Sequence, residues 1–292
     1  MDKEKILKAG QISVEVKKYA RTIVKKGVPL LEIAEKLDAK ILELGGKPAF
    51  PINLSINQIA AHYTPTHNDE KVAHGLIKVD LGVHIDGWIA DTAFSIDLEG
   101  TEENKKLIEA ATEALNAATK ITKLGISTNE IGAAVEEQIK SRGFLPIINL
   151  FGHGIERYKV HSGITIPNID DGRKEILGEG QYAIEPFATS GKGKVHDGPG
   201  SNIYIMIGER NVRSPLAREI LKFIKEEYKT IPFCSRWIVK KFGARAMLGL
   251  RELERNGNLH HFAQLIEVSK KNVAQAEDSI LIEKNKVTVT TE

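Results

Sequence analysis

The chain repeats its own plan, and that repeat limits the folds open to it. Apolar residues recur at helical spacing over residues 3–25 (Ile6, Leu7) and 29–45 (Leu30, Leu31, Ile33, Leu37, Ile41, Leu42), and each run ends on glycine, as helices often do. Residues 103–123 and 128–141 follow the same pattern and close near Gly143. A short strand-like run comes after each helix pair, Phe50-Pro-Ile-Asn-Leu54 in one case and Leu145-Pro-Ile-Ile-Asn-Leu150 in the other. Longer strand-like runs then follow, Lys78 to Ile96 and Gln181 to Thr189. Two copies of helix, helix, short strand and longer strands predict an α+β fold of two similar halves, with a site at their junction.

Lys78 to Ile96 alternates around His84-Ile85-Asp86-Gly87, an Asp-Gly turn signal. A turn midway between Ile85 and Asp86 places Asp80 directly opposite Asp91. Directly paired residues have Cβ atoms about 5 Å apart, where two unscreened carboxylates repel by about 3 kcal/mol at an effective dielectric near 20. A shared proton or a bound cation would offset that repulsion. The cation is the better reading, because more ligand-type residues follow. Glu185, in Tyr182-Ala-Ile-Glu-Pro-Phe187, and Glu277, in Val273-Ala-Gln-Ala-Glu-Asp-Ser-Ile280, each interrupt an apolar strand pattern. Acids are almost never fully buried without a partner. His153 sits in Phe151-Gly-His-Gly154, where the glycines permit close approach of another group.

For any one of these acids, an edge-strand position or a salt bridge is the commoner explanation. As a set, Asp80, Asp91, His153, Glu185 and Glu277 carry the charge that two divalent ions would neutralise. Mixed carboxylate and imidazole ligands suit manganese, iron, cobalt or zinc without selecting one. Two such ions roughly 3.5–4 Å apart can share a water and lower its pKa towards neutrality. His67, His74, His84, His196, His260 and His261 lie in turn-rich or polar surroundings and read as solvated surface residues, whereas His62 and His161 each follow an ordered-looking segment.

Several motifs fail. Ser190-Gly-Lys-Gly-Lys194 lacks the spacing of a phosphate loop. Gly178-Glu-Gly-Gln-Tyr-Ala183 runs into a strand and Pro186 where a dinucleotide-binding helix should open, and His-Glu-x-x-His does not occur. Nucleotide binding is therefore not expected. The single cysteine, Cys234, excludes an internal disulfide framework and a cysteine-based metal cage. Met1-Asp-Lys-Glu-Lys5 opens into a helical pattern with no signal-peptide core behind it, and no apolar run approaches the roughly 18 residues of a membrane span. A soluble intracellular protein is expected.

Residues 202–262 depart from the repeat. Ser214-Pro215 predicts an N-cap and a first helical residue, opening a helix to about Tyr228. Shorter helical stretches follow near 235–241 and 244–255, and Asn256-Gly257 stops the last. With 12 Lys+Arg against 6 Asp+Glu, this segment carries +6 in a chain whose net charge is +2. Strands resume near Val273, and Ser279 to Thr291 predicts a closing hairpin about Lys284-Asn285.

Five motifs, in order, make the chain recognisable: Asn53-Leu-Ser-Ile-Asn-Gln-Ile-Ala-Ala-His-Tyr-Thr-Pro65, Asp80-Leu-Gly-Val-His-Ile-Asp-Gly-Trp-Ile-Ala-Asp91, Gly152-His153, Ala183-Ile-Glu-Pro-Phe187 and Ala274-Gln-Ala-Glu277. Together they resemble type 2 methionine aminopeptidase. Residues 202–262, with Pro232-Phe-Cys-Ser-Arg-Trp237, look like the helical subdomain of type 2 enzymes. No long charged N-terminal extension precedes the first helix, so the archaeal form is expected. The resemblance implies the pita-bread (creatinase/aminopeptidase) fold: one catalytic domain over residues 1–292, two pseudo-symmetric α/β halves around a central antiparallel sheet, and a helical insertion at 202–262.

It also implies that Asp80, Asp91, His153, Glu185 and Glu277 ligate two divalent metal ions. His62 and His161 become the non-ligand active-site histidines, Glu185 a proton shuttle, and Phe50 a wall of the methionine pocket. Ala276-Glu-Asp-Ser279 departs from the family's usual Phe-Glu-His-Thr and is closer to proline-specific relatives. The loop from Glu70 to Ile77 is short and lacks a Glu-Gly-Asp turn, and Lys194 to Ser201 is rich in glycine. The implied protein is a cytoplasmic, monomeric aminopeptidase that removes initiator methionine from nascent chains with a small second residue. It has no membrane or specific nucleic-acid partner, and the basic insertion leaves a transient ribosome contact open. The alternatives are an X-Pro peptidase of the same fold, or a non-catalytic relative that binds ribosomes or nucleic acid.

Overall fold

The computed structural model describes residues 1–284 and 286–292. Its first half runs α1 (Lys3–Ile23), α2 (Leu30–Glu43), β1 (Lys47–Ile56), β2 (Ile59–Ala61), β3 (Leu76–Ile85) and β4 (Trp88–Asp97). The second half runs α3 (Glu102–Ile121), α4 (Thr128–Ser141), β5 (Leu145–Pro146), β6 (Phe151–Glu156), β7 (Lys159–Pro167), β8 (Gly180–Ile184) and β9 (Phe187–Thr189). After β10 (Val195–Met206) come α5 (Pro215–Glu227), β11 (Phe233–Cys234), α6 (Ser235–Phe242) and α7 (Ala246–Arg255). The chain ends with β12 (Leu259–Glu267), β13 (Val273–Gln275), β14 (Asp278–Glu283) and β15 (Lys286–Val289).

Capping sets the helix starts. Asp2 accepts from Lys5 N at 3.2 Å to open α1, Thr101 accepts from Asn104 N to open α3, and Ser127 with Glu130 forms a capping box on α4. The buried stripe of α1, with Ile12, Val16 and Ala20, packs with Leu30, Ile33 and Leu37 of α2 onto Ile52, Leu54, Val79 and Leu81 of the sheet β1-β3-β4. The second half does the same with Leu107, Ala110 and Ala114 of α3 and Ile131, Val135 and Ile139 of α4, against Ile166, Ile184 and Ile280. Each such leucine, isoleucine or valine, fully buried, contributes about 1.5–3 kcal/mol relative to exposure. The predicted repeat is thus two helix pairs, each on its own sheet.

The β3–β4 hairpin has a two-residue Asp86-Gly87 turn, both residues at positive φ (50° and 83°), so Ile85 faces Trp88. That shifts the expected register by two. Asp80 lies opposite Ala93 and Asp91 opposite Gly82, so the two acids are diagonal neighbours on one face rather than a direct pair.

The other expected strands break. The run from Gln181 to Thr189 splits into β8 and β9 at Glu185-Pro186, because proline lacks the N–H a continuous ladder needs. The run through Glu277 splits into β13 and β14. The breaks lie side by side: β8 pairs with β14, β9 pairs with β13, and Ala276 N donates to Pro186 O at 3.2 Å between them. The expected strand from Leu145 to Leu150 shrinks to β5. The closing hairpin is present as β14–β15, with Glu283 opposite Lys286; Asn285, at its expected turn, lies outside the described residues.

Residues 202–206 and 259–262 belong to the paired strands β10 and β12, and the helices α5, α6 and α7 lie between them around Ala217, Ile220, Ile224, Ile238 and Leu250. Ser214 caps α5, accepting from Ala217 N at 3.2 Å. Buried Arg236 on α6 ties this unit to α2 through Asp38 (Nη2 to Oδ2, 2.9 Å) and donates to Pro65 O at 2.7 Å. No helix among the described residues is long and apolar enough to cross a membrane.

Candidate metal centre

Each acid of the set reaches the junction from a different place in the repeat. Asp80 and Asp91 project from one face of the β3–β4 hairpin, and His153 from β6, which neighbours β8. Glu185 and Glu277 sit at the two aligned breaks, where their side chains turn inward without a ladder position to fill. Glu277 also bridges to Ala93 of β4 (N to O, 2.9 Å), which brings the end of the chain against the hairpin. All five line one pocket of about 190 Å³, together with His62, His161 and Phe50.

The electrostatics of this floor are unbalanced. Asp91 and Glu277 are 3% and 2% exposed, and no lysine or arginine pairs with any of the four acids among the described residues. Burial, and for three of them mutual repulsion, pushes every carboxyl upward. Asp80 rises to about 7 through burial, while Asp91, Glu185 and Glu277 rise well above the ordinary range through burial and then their neighbours' charge. Gln275 offers only long contacts, 3.5 Å to Glu185 Oε2 and 3.4 Å to Glu277 Oε2. Asp80 Oδ1 and Asp91 Oδ1 are buried with no hydrogen-bond partner among the described residues.

His153 sharpens the imbalance. Its Nδ1 lies 3.1 Å from Gly154 O, which makes Nδ1–H the donor and leaves the Nε2 lone pair facing inward. That nitrogen is 3.7 Å from Glu185 Oε1 and 3.8 Å from Asp91 Oδ2, and burial holds the ring neutral, with its pKa lowered to about 3. A lone pair converging on carboxylate oxygens leaves the space between them without a positive charge. Ligand atoms of Asp91, His153 and Glu277 lie within 4.8 Å of one another. This donor set fits a hard or borderline divalent cation.

His161 stands edge-on to His153, ring centroids 4.3 Å apart, at the outer side of the pocket where its edge reaches solvent. His62 follows β2 in the left-handed region (φ 64°), a conformation L side chains adopt sparingly. Its Nδ1 is 3.3 Å from Ala263 O and its ring meets Phe262 edge-on at 5.5 Å; burial lowers its pKa to about 4. Phe50 lies in a notch that only glycine leaves open, since a Cβ on Gly82 would be 2.3 Å from the Phe50 ring. Ile203, Pro232 and Phe262, from the segment 202–262, complete the apolar side.

Sequence reasoning passed over Gln275 and Asn53, which faces Asp80 across β1–β3 and has a buried, unpartnered Oδ1. The signal was available: each is an amide set between two apolar residues, Ile52 and Leu54 or Ala274 and Ala276. His84 is a correction. It is buried, not solvated, because its ring accepts the turn amide of Gly87 at 3.0 Å and packs on Tyr158. His261 is half-buried and stacks on Tyr204, while His67, His74, His196 and His260 are exposed. In the Ser190–Lys194 loop, Lys192 N donates at 2.6 Å to buried Glu267, so the chain's own carboxylate occupies the place of an anion.

An α+β molecule with a carboxylate–histidine floor between two like halves defines a class of metal-dependent hydrolase. The profile of metallopeptidase family M24 matches residues 4–227, and the chain belongs to that family. Methionine aminopeptidase from Pyrococcus horikoshii is 48% identical over 100% of both chains. Among solved structures, methionine aminopeptidase from Thermotoga maritima superposes with a TM-score of 0.71 at 23% identity, covering 99% of this chain and 96% of that one. A thermophilic Arx1 gives 0.86 at 18% identity, covering 98% and 90%. The architecture is the pita-bread fold.

Proposed function

We propose that the chain hydrolyses the N-terminal methionine from peptides and nascent proteins, and that Asp80, Asp91, His153, Glu185 and Glu277 hold two divalent metal ions. The observation that carries this is the ring of buried, unneutralised carboxylates flooring a pocket with an apolar side. Membership of the metallopeptidase family and full-length similarity to methionine aminopeptidases support the reaction class. When bound, the ions supply Lewis acidity and an activated water.

The remaining roles belong to the chain. Glu185, at the break before Pro186, takes the proton from the attacking water and passes it to the leaving amine. With His62 Nδ1–H directed at Ala263 O, its Nε2 is an acceptor and orients the scissile N–H. His161, uncommitted to any protein hydrogen bond among those described, donates to the developing oxyanion. Phe50, Val160, Ile203 and Phe262 enclose the first side chain. Residues 202–262 act as an insertion subdomain within a single catalytic domain, and through Ile203, Pro232 and Phe262 they take part in specificity.

The test is metal-stripped protein given Met-Ala-Ser and an X-Pro peptide in parallel, with manganese, iron, cobalt and zinc added back singly. Methionine release from the first peptide alone is expected. Cleavage of the X-Pro peptide alone would make the protein a proline-specific peptidase, and metal binding without cleavage of either would make it non-catalytic.

Specificity follows from crowding at the floor. The second residue sits beside His62, where bulk displaces the scissile bond. Cleavage is expected when that residue is Gly, Ala, Ser, Thr, Pro, Val or Cys, and little when it is Asp, Lys or Leu. Equal rates on Met-Ala and Met-Leu peptides would remove this account of the pocket. Gly82→Ala should drive the Phe50 ring into the methionine site and raise KM for Met-Ala-Ser by roughly tenfold, the scale of one methylene in an apolar pocket. An unchanged KM would place methionine elsewhere.

A further inference from the structure

Behind the acidic floor lies a second polar cluster that the reaction scheme does not use. Strand alternation along β4 sends Asp91 to the pocket and Thr92 to the opposite side, where Asp278, the first residue of β14, meets Thr92 Oγ1 at 3.2 Å. There the ammonium of Lys17, from the middle of α1, meets three groups: Asp278 Oδ1 at 3.1 Å, Thr92 Oγ1 at 3.1 Å and Thr291 O at 2.8 Å. Thr92 Oγ1 in turn donates to Glu277 O at 2.7 Å, and Thr291 Oγ1 donates to Asp278 Oδ1 at 2.8 Å. Ser279 completes the clasp, accepting from Asp91 N at 2.8 Å and donating to Asp91 O at 2.9 Å.

The clasp is well shielded, with the Lys17 and Asp278 side chains 18% and 14% exposed. It is also held from outside. Gly10 of α1 packs so closely on the end of the chain that an added Cβ would stand 2.0 Å from Thr290 O. The helix carrying Lys17 therefore has little freedom to withdraw.

We propose that Lys17 is a positioning residue for the metal centre: its ammonium clamps the strand segment bearing Glu277 to the hairpin bearing Asp91 and balances the carboxylate of Asp278. Glu277 lies at a strand break, so the ladder of β13 and β14 does not fix its own position. The Ala93 bridge and the Lys17 cluster do so instead. Asp278 would otherwise add a fifth negative charge beside four that are already unpaired. The proposal rests on the reading that these acids hold metal.

The experiment is manganese titration of the metal-stripped protein by calorimetry, with the visible spectrum of the cobalt-loaded form, for wild type, Lys17→Met, Lys17→Arg and the double variant Lys17→Met/Asp278→Asn. Lys17→Met is expected to stay folded, bind manganese about 10–100-fold more weakly, as when a group supporting a ligand is lost, and show an altered cobalt spectrum. Its kcat should fall more than its KM rises. Lys17→Arg should recover most of the affinity, and the double variant part of it. A folded Lys17→Met with wild-type manganese affinity and cobalt spectrum would overturn the proposal, as would a double variant no better than the single. Should Lys17→Met fail to fold, Thr92→Val decides by the same two readouts. A wild type that binds no metal would instead remove the metal-site reading itself.

Discussion

Glu277→Ala is expected to abolish methionine release from Met-Ala-Ser while leaving the fold intact. Glu277 arrives from the far end of the chain at a break between β13 and β14, so its side chain is not a ladder or core element whose loss would unravel the sheet. It is 2% exposed among three other acids, and its carboxyl is pushed well up by burial and then by Asp91, Glu185 and Asp80. Truncation relieves repulsion in the metal-free protein and removes one member of the donor set in the loaded one. Thermal unfolding of the stripped variant should therefore match or exceed wild type, whereas the stabilisation gained on adding manganese should shrink, because a bound ligand stabilises by an amount that grows with the logarithm of its concentration over its Kd. Near-normal turnover in a folded, metal-loaded variant would refute the five-ligand assignment.

His161→Ala and His62→Ala should each keep full metal stoichiometry and lose roughly 10²–10³-fold in kcat, His161→Ala on the scale of a lost oxyanion donor and His62→Ala through loss of the acceptor that orients the scissile N–H. The geometry separates them from His153. The His153 Nε2 faces two carboxylates at 3.7 and 3.8 Å, while the Nδ1 of His62 is directed at Ala263 O and the ring of His161 stands edge-on to His153 with its own edge open to solvent. Burial lowers the pKa of His62 to about 4, so it works as a neutral imidazole at pH 7. A metal equivalent lost from His161→Ala would overturn this division of labour.

Much of the fold was legible because it rests on local periodicity. The apolar spacing of residues 3–25, 29–45, 103–123 and 128–141 predicts helices that end within a few residues of α1, α2, α3 and α4. Ser214-Pro215 locates the start of α5 through its cap. Register was less legible. The turn signal at Asp86-Gly87 is legible, but the pairing hangs on whether Ile85 or Gly87 joins Asp86 in the two-residue loop, and Ile85 opposite Trp88 decides that. Leu145 to Leu150 reads as a strand by composition, yet only Leu145–Pro146 find a partner edge on β9. His84 reads as surface because its neighbours are turn residues; its burial depends on Tyr158, far along the chain.

By itself the sequence determined the residue types and their faces: alternation puts Asp80 and Asp91 on one side of a hairpin, and the glycines around His153 leave it room. The repeat of helix pairs likewise follows from short-range spacing, because a helix or strand is read from neighbours a few residues apart. Only the tertiary structure decided that the breaks at Glu185-Pro186 and Ala276-Glu277 lie side by side, and that Lys17 and Thr291 meet behind them. Those contacts join residues distant in the chain, and their energies depend on burial and on the summed charge of four converging acids. Neither quantity exists until the two halves have packed.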